Sequence, residues 1–284
     1  MNPRRQAAKF FLQISGISKL LLKLYPLAVS VIFGKQFRDR IEVIRPFFDL
    51  YFLSGSRQIR LGDPNDGGYI LDANLDSVDL CLSFGIGDNT RFEDDISSFV
   101  ERVFMFDHTI QPPALNKSNL TFFKKGLGIT SSSEFFTLAE ILDFASPFND
   151  AILKLDIEGA EVEVLATFPA EDLKHFKQIT MELHGLHSIK DEKYFSDLVK
   201  CLNNVNNNHI LISVHANNWG KFVIVEGAPF PDVLELTYLR KTEANATAKD
   251  FETIDLTPKQ MAPNNPLESD ISLNLISRIH YISN

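Results

Sequence analysis

Short apolar runs alternate with amphipathic stretches through the middle of the chain. The apolar runs have the length of buried strands, and they lie at residues 78–84, 103–106, 152–155 and 179–183. The stretches between them have helical spacing, and they lie at residues 92–100, 133–144, 162–167 and 192–203. Strands that alternate with helices form a parallel sheet with right-handed connections. The pattern therefore predicts an α/β fold of the Rossmann-like kind.

The last third of the chain has a different pattern. Three apolar runs follow one another without a helix between them, at residues 209–214, 222–226 and 233–239. Such a succession predicts antiparallel strands, which we expect at one edge of the sheet. An Asn-rich stretch at residues 203–208 predicts a turn, and the polar stretch at residues 241–270 predicts a long loop or a lid.

The first 35 residues are basic, although the whole chain carries a formal net charge of −9. They contain Lys and Arg but no Asp or Glu. Apolar residues recur at helical spacing from Phe10 to Leu24, whereas Lys19 and Lys23 share another face. The sequence therefore predicts a basic amphipathic helix that ends near Pro26.

We divide the chain into this helical extension, residues 1–58, and a Rossmann-like domain, residues 59–284. The extension is too often interrupted by lysine to span a bilayer, and no cleavage site of a signal peptide follows it. Two placements of its apolar face remain open. The helix packs on the catalytic domain or on a second subunit of a homodimer, or it lies as a peripheral contact on an anionic membrane surface.

Composition narrows the class of protein. The apolar and charged fractions of 44% and 23% are those of a globular protein, and the acidic balance argues against a nucleic-acid partner. Cys81 and Cys201 are too few for a disulfide framework or a cysteine zinc site. We expect a cytoplasmic protein, located at the inner face of the membrane if the extension binds lipid.

A glycine turn ends the first apolar run of the domain. Gly85 and Gly87 would let the backbone approach a ligand closely at the carboxyl end of a strand. Thr90 stands where a dinucleotide fingerprint would have a third glycine, which disfavours a nicotinamide or flavin site. Asp107 ends the next strand and is placed to accept hydrogen bonds from ribose hydroxyls. Together these residues predict a nucleoside-binding crevice.

Acidic and histidine side chains follow three later strands. Asp156 and Glu158 follow the third strand, Glu182 and His184 end the fourth, and His215 ends the next apolar run. The two acids also suit the first turn of a helix, which is the alternative interpretation. Because ligands of open α/β sheets bind at the carboxyl ends of strands, we predict that these side chains form the active site.

Two kinds of chemistry fit this cluster. His184, His215 or Asp156 would accept the proton of an attacking hydroxyl. Alternatively, Asp156, Glu182 and His184 would hold Mg²⁺ or Mn²⁺, which orients and acidifies a sugar diol. The sequence does not separate these two mechanisms.

One run of residues is specific to a known family. The segment Asp156-Ile157-Glu158-Gly159-Ala160-Glu161, after a strand that contains lysine, resembles the signature of the FkbM family of methyltransferases. Three further stretches resemble that family in the expected order, at residues 65–70, 83–88 and 106–109. The resemblance covers roughly residues 60–270.

The resemblance implies methyl transfer from S-adenosylmethionine, usually to a hydroxyl group. It also implies a seven-stranded, mostly parallel sheet whose last strand inserts antiparallel. His108 stands where members of the family often have proline. The residues expected to contact the cofactor are Asp66, Gly67, Gly85, Gly87, Asp88, Asp107 and His108.

The leading interpretation is a methyltransferase that acts on a hydroxyl of a sugar or another polyhydroxylated acceptor, either a small molecule or a glycan. Two other classes remain open. One is an NAD-type Rossmann oxidoreductase, and the other is a non-catalytic binding module docked to the membrane through the basic extension.

Overall fold

The computed structural model describes residues 34–53, 56–225, 228–247, 262–271, 273 and 279–282. The predicted basic helix, which ends near Pro26, lies outside these residues together with its proposed membrane or dimer contact. No helix within the described ranges has the length and apolar character needed to cross a membrane.

The described residues form fifteen strands. In chain order they are β1 (Leu50–Leu53), β2 (Gln58–Gly62), β3 (Gly68–Asp72), β4 (Val78–Phe84), β5 (Arg102–Phe106), β6 (Leu120–Phe123), β7 (Gly126–Leu127), β8 (Phe135–Phe136), β9 (Asp150–Leu155), β10 (Phe176–Leu183), β11 (His209–Ala216), β12 (Phe222–Val225), β13 (Ala228–Pro231), β14 (Leu234–Arg240) and β15 (Ile279–Ile282).

Nine of these strands form one twisted central sheet in the order β15-β1-β11-β14-β10-β9-β4-β5-β6. All neighbouring pairs are parallel except those that involve β14, which is antiparallel to both β10 and β11. The Rossmann-like, mostly parallel fold is therefore confirmed. Seven strands, from β6 to β11, contain the antiparallel insertion that the family resemblance implies, and β1 and β15 extend the sheet beyond them.

The antiparallel strand is not at the sheet edge, where the pattern of apolar runs had predicted it. Strand β14 lies in the interior and is buried along most of its length, since it pairs on both sides. The apolar run at residues 222–226 does not join the sheet at all. Its strand β12 forms a separate hairpin with β13, outside the central sheet. A pattern of apolar runs cannot distinguish a hairpin from an edge strand, because both alternate with period two.

Helices cover the faces of the sheet. They are α1 (residues 34–44), α2 (Arg91–Ile96), α3 (Leu138–Ala145), α4 (Glu161–Thr167), α5 (Ala170–Leu173), α6 (Glu192–Asn208) and α7 (Lys241–Thr247), with short 3-10 turns at Arg45–Phe48 and Leu186–Lys190.

Helix α6 continues through the Asn-rich stretch at residues 203–208, where the sequence had predicted a turn. Asn203 and Asn206 donate hydrogen bonds to carbonyl oxygens one turn earlier in the helix. Asn204 reaches the carbonyls of Leu165 and Phe168, and Val205 is fully buried in the core. The prediction was wrong because asparagine favours turns only when its side chain has no better partner in the fold.

The folded core begins before residue 59. Phe37, Ile41 and Phe48 are buried in the same hydrophobic cluster as the central strands, and β1 pairs with β11. Of the predicted loop or lid at residues 241–270, the first seven residues are helix α7, and residues 262–270 have no regular structure.

Candidate active site

A cleft of about 400 Å³ opens at the carboxyl ends of β4, β9 and β10. Its walls contain eight of the predicted site residues: Asp66, Gly67, Gly87, Asp88, Asp156, Glu158, Glu182 and His184. They also contain residues that sequence reasoning did not single out as site residues, namely Tyr69, Ile86, Asn89, Phe92, Glu93, Lys154, Asn217, Trp219, Gly220 and Val233. Gly85, Asp107, His108 and His215 are not among the lining residues.

The glycine turn at one end of the cleft is held by Asp107. One carboxylate oxygen of Asp107 accepts the backbone N–H groups of Ile86 and Gly87, each at 3.0 Å. The other oxygen accepts the backbone N–H and the hydroxyl of Thr109. Although burial opposes ionisation, these hydrogen bonds hold the pKa of Asp107 below its usual value. Asp107 therefore shapes the turn, and its predicted contact with a ribose remains a prediction.

The two glycines of the turn do different things. Gly85 has φ +74, and a Cβ atom there would lie 1.6 Å from the backbone oxygen of Asp156. Gly87 has φ +57 and would place a Cβ atom in open space. Gly85 is thus required so that the loops after β4 and β9 can meet, whereas Gly87 is the glycine that leaves room in the cleft.

Asp156 lies between two residues that direct its carboxylate. The hydroxyl of Tyr69 donates to one carboxylate oxygen at 2.9 Å, and the Lys154 ammonium lies 3.8 Å from the same oxygen. Lys154 is buried and also donates to the carbonyl of Gly85 at 2.5 Å. Strand β9 thereby connects the glycine turn to the acidic cluster.

The turn after Asp156 is built around Glu161, whose side chain is fully buried. Glu161 accepts the backbone N–H groups of Ile157 and Gly159. Glu158 and Gly159 both have left-handed conformations, with φ +56 and φ +103. A non-glycine residue with positive φ is uncommon and is often found at functional sites. The two glutamates of residues 156–161 therefore differ, since Glu161 shapes the turn and Glu158 is exposed at the cleft.

His184 is surrounded by three carboxylates. Its Nδ1 atom lies 3.2 Å from Glu161, and its Nε2 atom lies 3.3 Å from Glu182 and 3.7 Å from Glu158. Burial opposes the imidazolium form, but the hydrogen bonds to Glu161 and Glu182 raise the pKa of His184 to about 11.

Glu182 is an acid of the cleft whose pKa is raised to near neutral. Burial, together with the charges of Asp156 and Glu235, raises its pKa to about 7, although the hydrogen bond from His184 opposes the shift. The Asn217 amide donates to Glu182 at 2.5 Å. An acid that titrates near neutral pH in a cleft is a candidate for proton transfer.

His215 lies beside the cleft and belongs to a separate network. Its Nδ1 atom is 3.2 Å from Glu235, and its Nε2 atom is 3.3 Å from Asp270. The Asn264 amide donates to both Glu235 and Asp66. His215 thus reaches the lining residue Asp66 only through two other side chains, and it does not meet Asp156, Glu182 and His184 at the cleft as predicted.

Residues 262–271 lie against the wall of the cleft. The Asn218 amide donates to the carbonyls of Asn265 and Glu268, and its oxygen accepts the backbone N–H of Asn265. Asn65, which precedes the lining residue Asp66, donates to the carbonyl of Pro263 at 2.8 Å.

Among the residues that the structure describes, two groups of side chains could hold a metal ion, with ligand atoms within 4.8 Å of one another. The first consists of Asp156, Glu161 and His184, and the second of Asp66, Glu182 and Glu235. The predicted set of Asp156, Glu182 and His184 is divided between them. The second group contains only oxygen donors, which suit Mg²⁺ or Mn²⁺. In the first group, the carboxylate of Glu161 is already occupied by backbone N–H groups.

Sequence reasoning missed several functional candidates, and their signals differ. Lys154 is the lysine of the strand before the segment that resembles the FkbM signature, and Tyr69 lies within the stretch of residues 65–70 that resembles the same family. Glu93 and Trp219 carried no motif, and only their place in the fold brings them to the cleft.

No family model matches this chain, and no curated protein matches it. Among solved structures, a fibrillarin/Nop5p complex matches with 10% identity and a TM-score of 0.35, over 60% of this chain and 75% of the other. An rRNA methylase from Streptococcus thermophilus matches with 13% identity and a TM-score of 0.33, over 58% and 89%. A protein from Clostridium thermocellum that is provisionally described as an rRNA methylase matches with 12% identity and a TM-score of 0.33, over 57% and 86%.

Proposed function

We propose that this protein is an S-adenosylmethionine-dependent methyltransferase that methylates a hydroxyl of a sugar or another polyhydroxylated acceptor. The observation that carries the proposal is the shared cleft. A glycine turn with open space at Gly87 and an acid-histidine cluster at Glu182 and His184 face the same cavity. A donor at the glycine turn would therefore be close to groups that can act on an acceptor.

The cleft suits this donor in size and in charge. Its volume is in the range of small-molecule sites. Its walls contain six carboxylates but only Lys154 and His184 as cationic side chains. The resulting negative potential would favour the binding of a ligand with a sulfonium and an ammonium group. The resemblance of residues 156–161 to the FkbM signature supports the same donor.

The charge states of the cleft residues suggest their roles. Bound S-adenosylmethionine would supply an electrophilic methyl group, which an acceptor oxygen must approach in line. His184 is protonated at neutral pH, so it orients carboxylates and does not serve as a base. Glu182, with a pKa of about 7, is matched to accept the proton of the acceptor hydroxyl. Asp156, fixed by Tyr69, would orient that hydroxyl.

The acceptor end of the cleft supports a neutral, polyhydroxylated ligand. Trp219 is 60% exposed and lines the cleft next to Asn217 and Gly220. An exposed indole offers a flat apolar surface, and amide and carboxylate groups beside it offer hydrogen bonds. The same excess of carboxylates disfavours phosphorylated acceptors and nucleic acids.

The donor is tested by calorimetry with S-adenosylhomocysteine and with NAD⁺. We expect the protein to bind S-adenosylhomocysteine and not NAD⁺. Binding of NAD⁺ alone would move the assignment to an oxidoreductase, and binding of neither would favour a non-catalytic module.

The acceptor and the metal are tested together in a transfer assay with labelled S-adenosylmethionine. The panel contains neutral sugars, polyols, sugar phosphates and amines, each with and without a chelator. We expect labelling of a neutral polyhydroxylated compound. Loss of labelling with the chelator and its return with Mg²⁺ or Mn²⁺ would support a cation at the carboxylates, whereas labelling that ignores the chelator would support proton transfer by Glu182 alone.

A further inference from the structure

Glu93 is a buried acid at the donor end of the cleft. It lies in the first turn of α2, directly after the glycine turn, and only 1% of its surface is exposed. The hydroxyl of Ser83 donates to its Oε1 atom at 2.5 Å. Its Oε2 atom is also buried and has no hydrogen-bond partner among the described residues. Glu93 nevertheless lines the cleft.

A buried carboxylate with one unpaired oxygen is costly, and native proteins rarely retain one without a reason. Burial raises the pKa of Glu93, and the charge of Lys154 only partly opposes the shift. The Lys154 ammonium donates to the carbonyl of Gly85 and lies 3.8 Å from Asp156, and it makes no hydrogen bond to the Oε2 atom of Glu93 among the described residues. Within the described part of the chain, a residue that lines the cleft therefore has one carboxylate oxygen without a donor.

The chemistry of this oxygen selects the group that would pair with it. An ionised carboxylate accepts hydrogen bonds and does not donate them, and it repels other carboxylates. A cationic N–H donor gives a stronger bond than a neutral hydroxyl in a buried site. A methyl donor of the proposed kind carries one such group, the ammonium of its amino-acid part.

We propose that the unpaired oxygen of Glu93 binds the ammonium group of the methyl donor, so that Glu93 makes the site specific for an amino-acid nucleoside. This inference rests on the proposed function, since it concerns the donor of that reaction. Ser83 holds Glu93 in place through the other carboxylate oxygen and does not contact the ligand.

The test is a calorimetric comparison of three ligands: S-adenosylhomocysteine, its analogue without the amino group, and its analogue without the carboxyl group. We expect the wild-type protein to bind the two amines at least tenfold more tightly than the desamino analogue. Glu93→Gln should reduce the affinity for the two amines by tenfold or more and should change the affinity for the desamino analogue by less than twofold. The matched control, Ser83→Ala, should retain the preference for amines.

The outcomes separate this inference from the proposed function. An equal loss of affinity for all three ligands in Glu93→Gln would mean that Glu93 only supports the turn. An unchanged affinity for the two amines would exclude the contact between Glu93 and the ammonium group. Thermal unfolding shows whether Glu93→Gln is folded. If it is not, the wild-type protein still decides the inference, because equal affinity for S-adenosylhomocysteine and for the desamino analogue would overturn it. If the wild-type protein bound none of the three ligands, the proposed function itself would fail.

Discussion

The two ends of the central sheet arrange their charged side chains in opposite ways. At the end where β9 and β10 begin, acids and bases are matched. Asp150 pairs with Arg240 at 2.6 Å, and Glu243 lies between Arg240 and Lys177. These groups neutralise one another and leave no excess charge. Their arrangement is that of a structural ion-pair network.

At the end where the same strands finish, carboxylates are in excess. Glu182 is close to Asp156 and Glu235, and His184 is shared among several acids. The consequence is visible in two histidines that are both removed from water. The pKa of His184 is raised to about 11 by its carboxylate partners, whereas burial lowers the pKa of His209, at the start of β11, to about 4.

The difference indicates which end has been shaped for a ligand. Matched ion pairs stabilise a fold, but uncompensated acids destabilise it and persist where they serve binding or catalysis. The following experiments test this contrast, beginning with the largest expected effect.

Substitutions at the two glycines of the turn should have different effects, one on protein stability and the other on ligand affinity. Gly85→Ala should destabilise the protein by about 4 kcal/mol or more, because its Cβ atom would collide with the backbone of Asp156 at a positive φ. Gly87→Asn should fold, since asparagine tolerates φ +57, but should bind S-adenosylhomocysteine at least tenfold more weakly. Denaturant unfolding and calorimetry measure the two effects. A stable Gly85→Ala protein, or full affinity in Gly87→Asn, would contradict the division of roles.

Matched substitutions of one acid at each end of the sheet should have opposite effects. Glu182→Gln should lower the rate of methyl transfer by about 100-fold or more. The raised pKa of Glu182 means that the wild-type protein loses stability as pH rises from about 4.5 to about 7, so the variant should be at least as stable as wild type at pH 8.

Asp150→Asn is the control at the opposite end. It should cost about 1–3 kcal/mol of stability, because it removes one of the two carboxylates that pair with Arg240. Methyl transfer by the folded protein should be unchanged. A loss of stability in Glu182→Gln at pH 8, or a loss of turnover in Asp150→Asn, would remove the contrast between the two ends.

His209 provides a measurement of pH dependence away from the cleft. Burial lowers the pKa of His209 in the folded protein to about 4. Between about pH 4 and pH 6.5, His209 is therefore protonated in the unfolded chain and neutral in the folded protein. His209 should therefore reduce stability as pH falls through this range, by about 1 kcal/mol for each pH unit.

His209→Gln should flatten that slope, since glutamine has no titrating group and can still donate to the carbonyl of Phe176. Urea unfolding at pH 4.5, 5.5 and 6.5 is the measurement, and unfolding at pH 8 is the reference. An unchanged slope would show that His209 is protonated in the fold.

The smallest effect is expected at Asn218, which holds residues 262–271 against the cleft. Asn218→Ala should cost about 1 kcal/mol and should increase hydrogen exchange at the backbone N–H of Asn265. Exchange in β4 and β9 should not change. Equal increases of hydrogen exchange throughout the sheet would mean that residues 262–271 stabilise the whole fold and not only the neighbourhood of the cleft.

The sequence predicted the sheet well and the site in part, and the reason is physical. Strands β4, β9 and β10 are buried on both faces, so their apolar runs were unambiguous. Strand-end residues such as Asp156 and Glu182 followed from the rule that ligands bind at carboxyl ends.

What the sequence could not supply was the partner of each side chain. Asp107 and Glu93 are both acids near the glycine turn, but only the fold shows that the first is fully hydrogen-bonded and the second is not. His215 also ends a strand, yet Glu235 and Asp270 keep it outside the cleft. Partners of this kind depend on contacts between residues far apart in the chain.

The hydrogen bond from Asn65 to Pro263 joins two positions that are 198 residues apart. Closing so long a loop is among the slowest contacts that a folding chain makes. The sheet from β4 to β14 is encoded before Pro263, so during synthesis it can form while the segment that lies against the wall of the cleft is still missing. A growing chain would thus possess the scaffold of its cleft before residues 262–271 could pack against it.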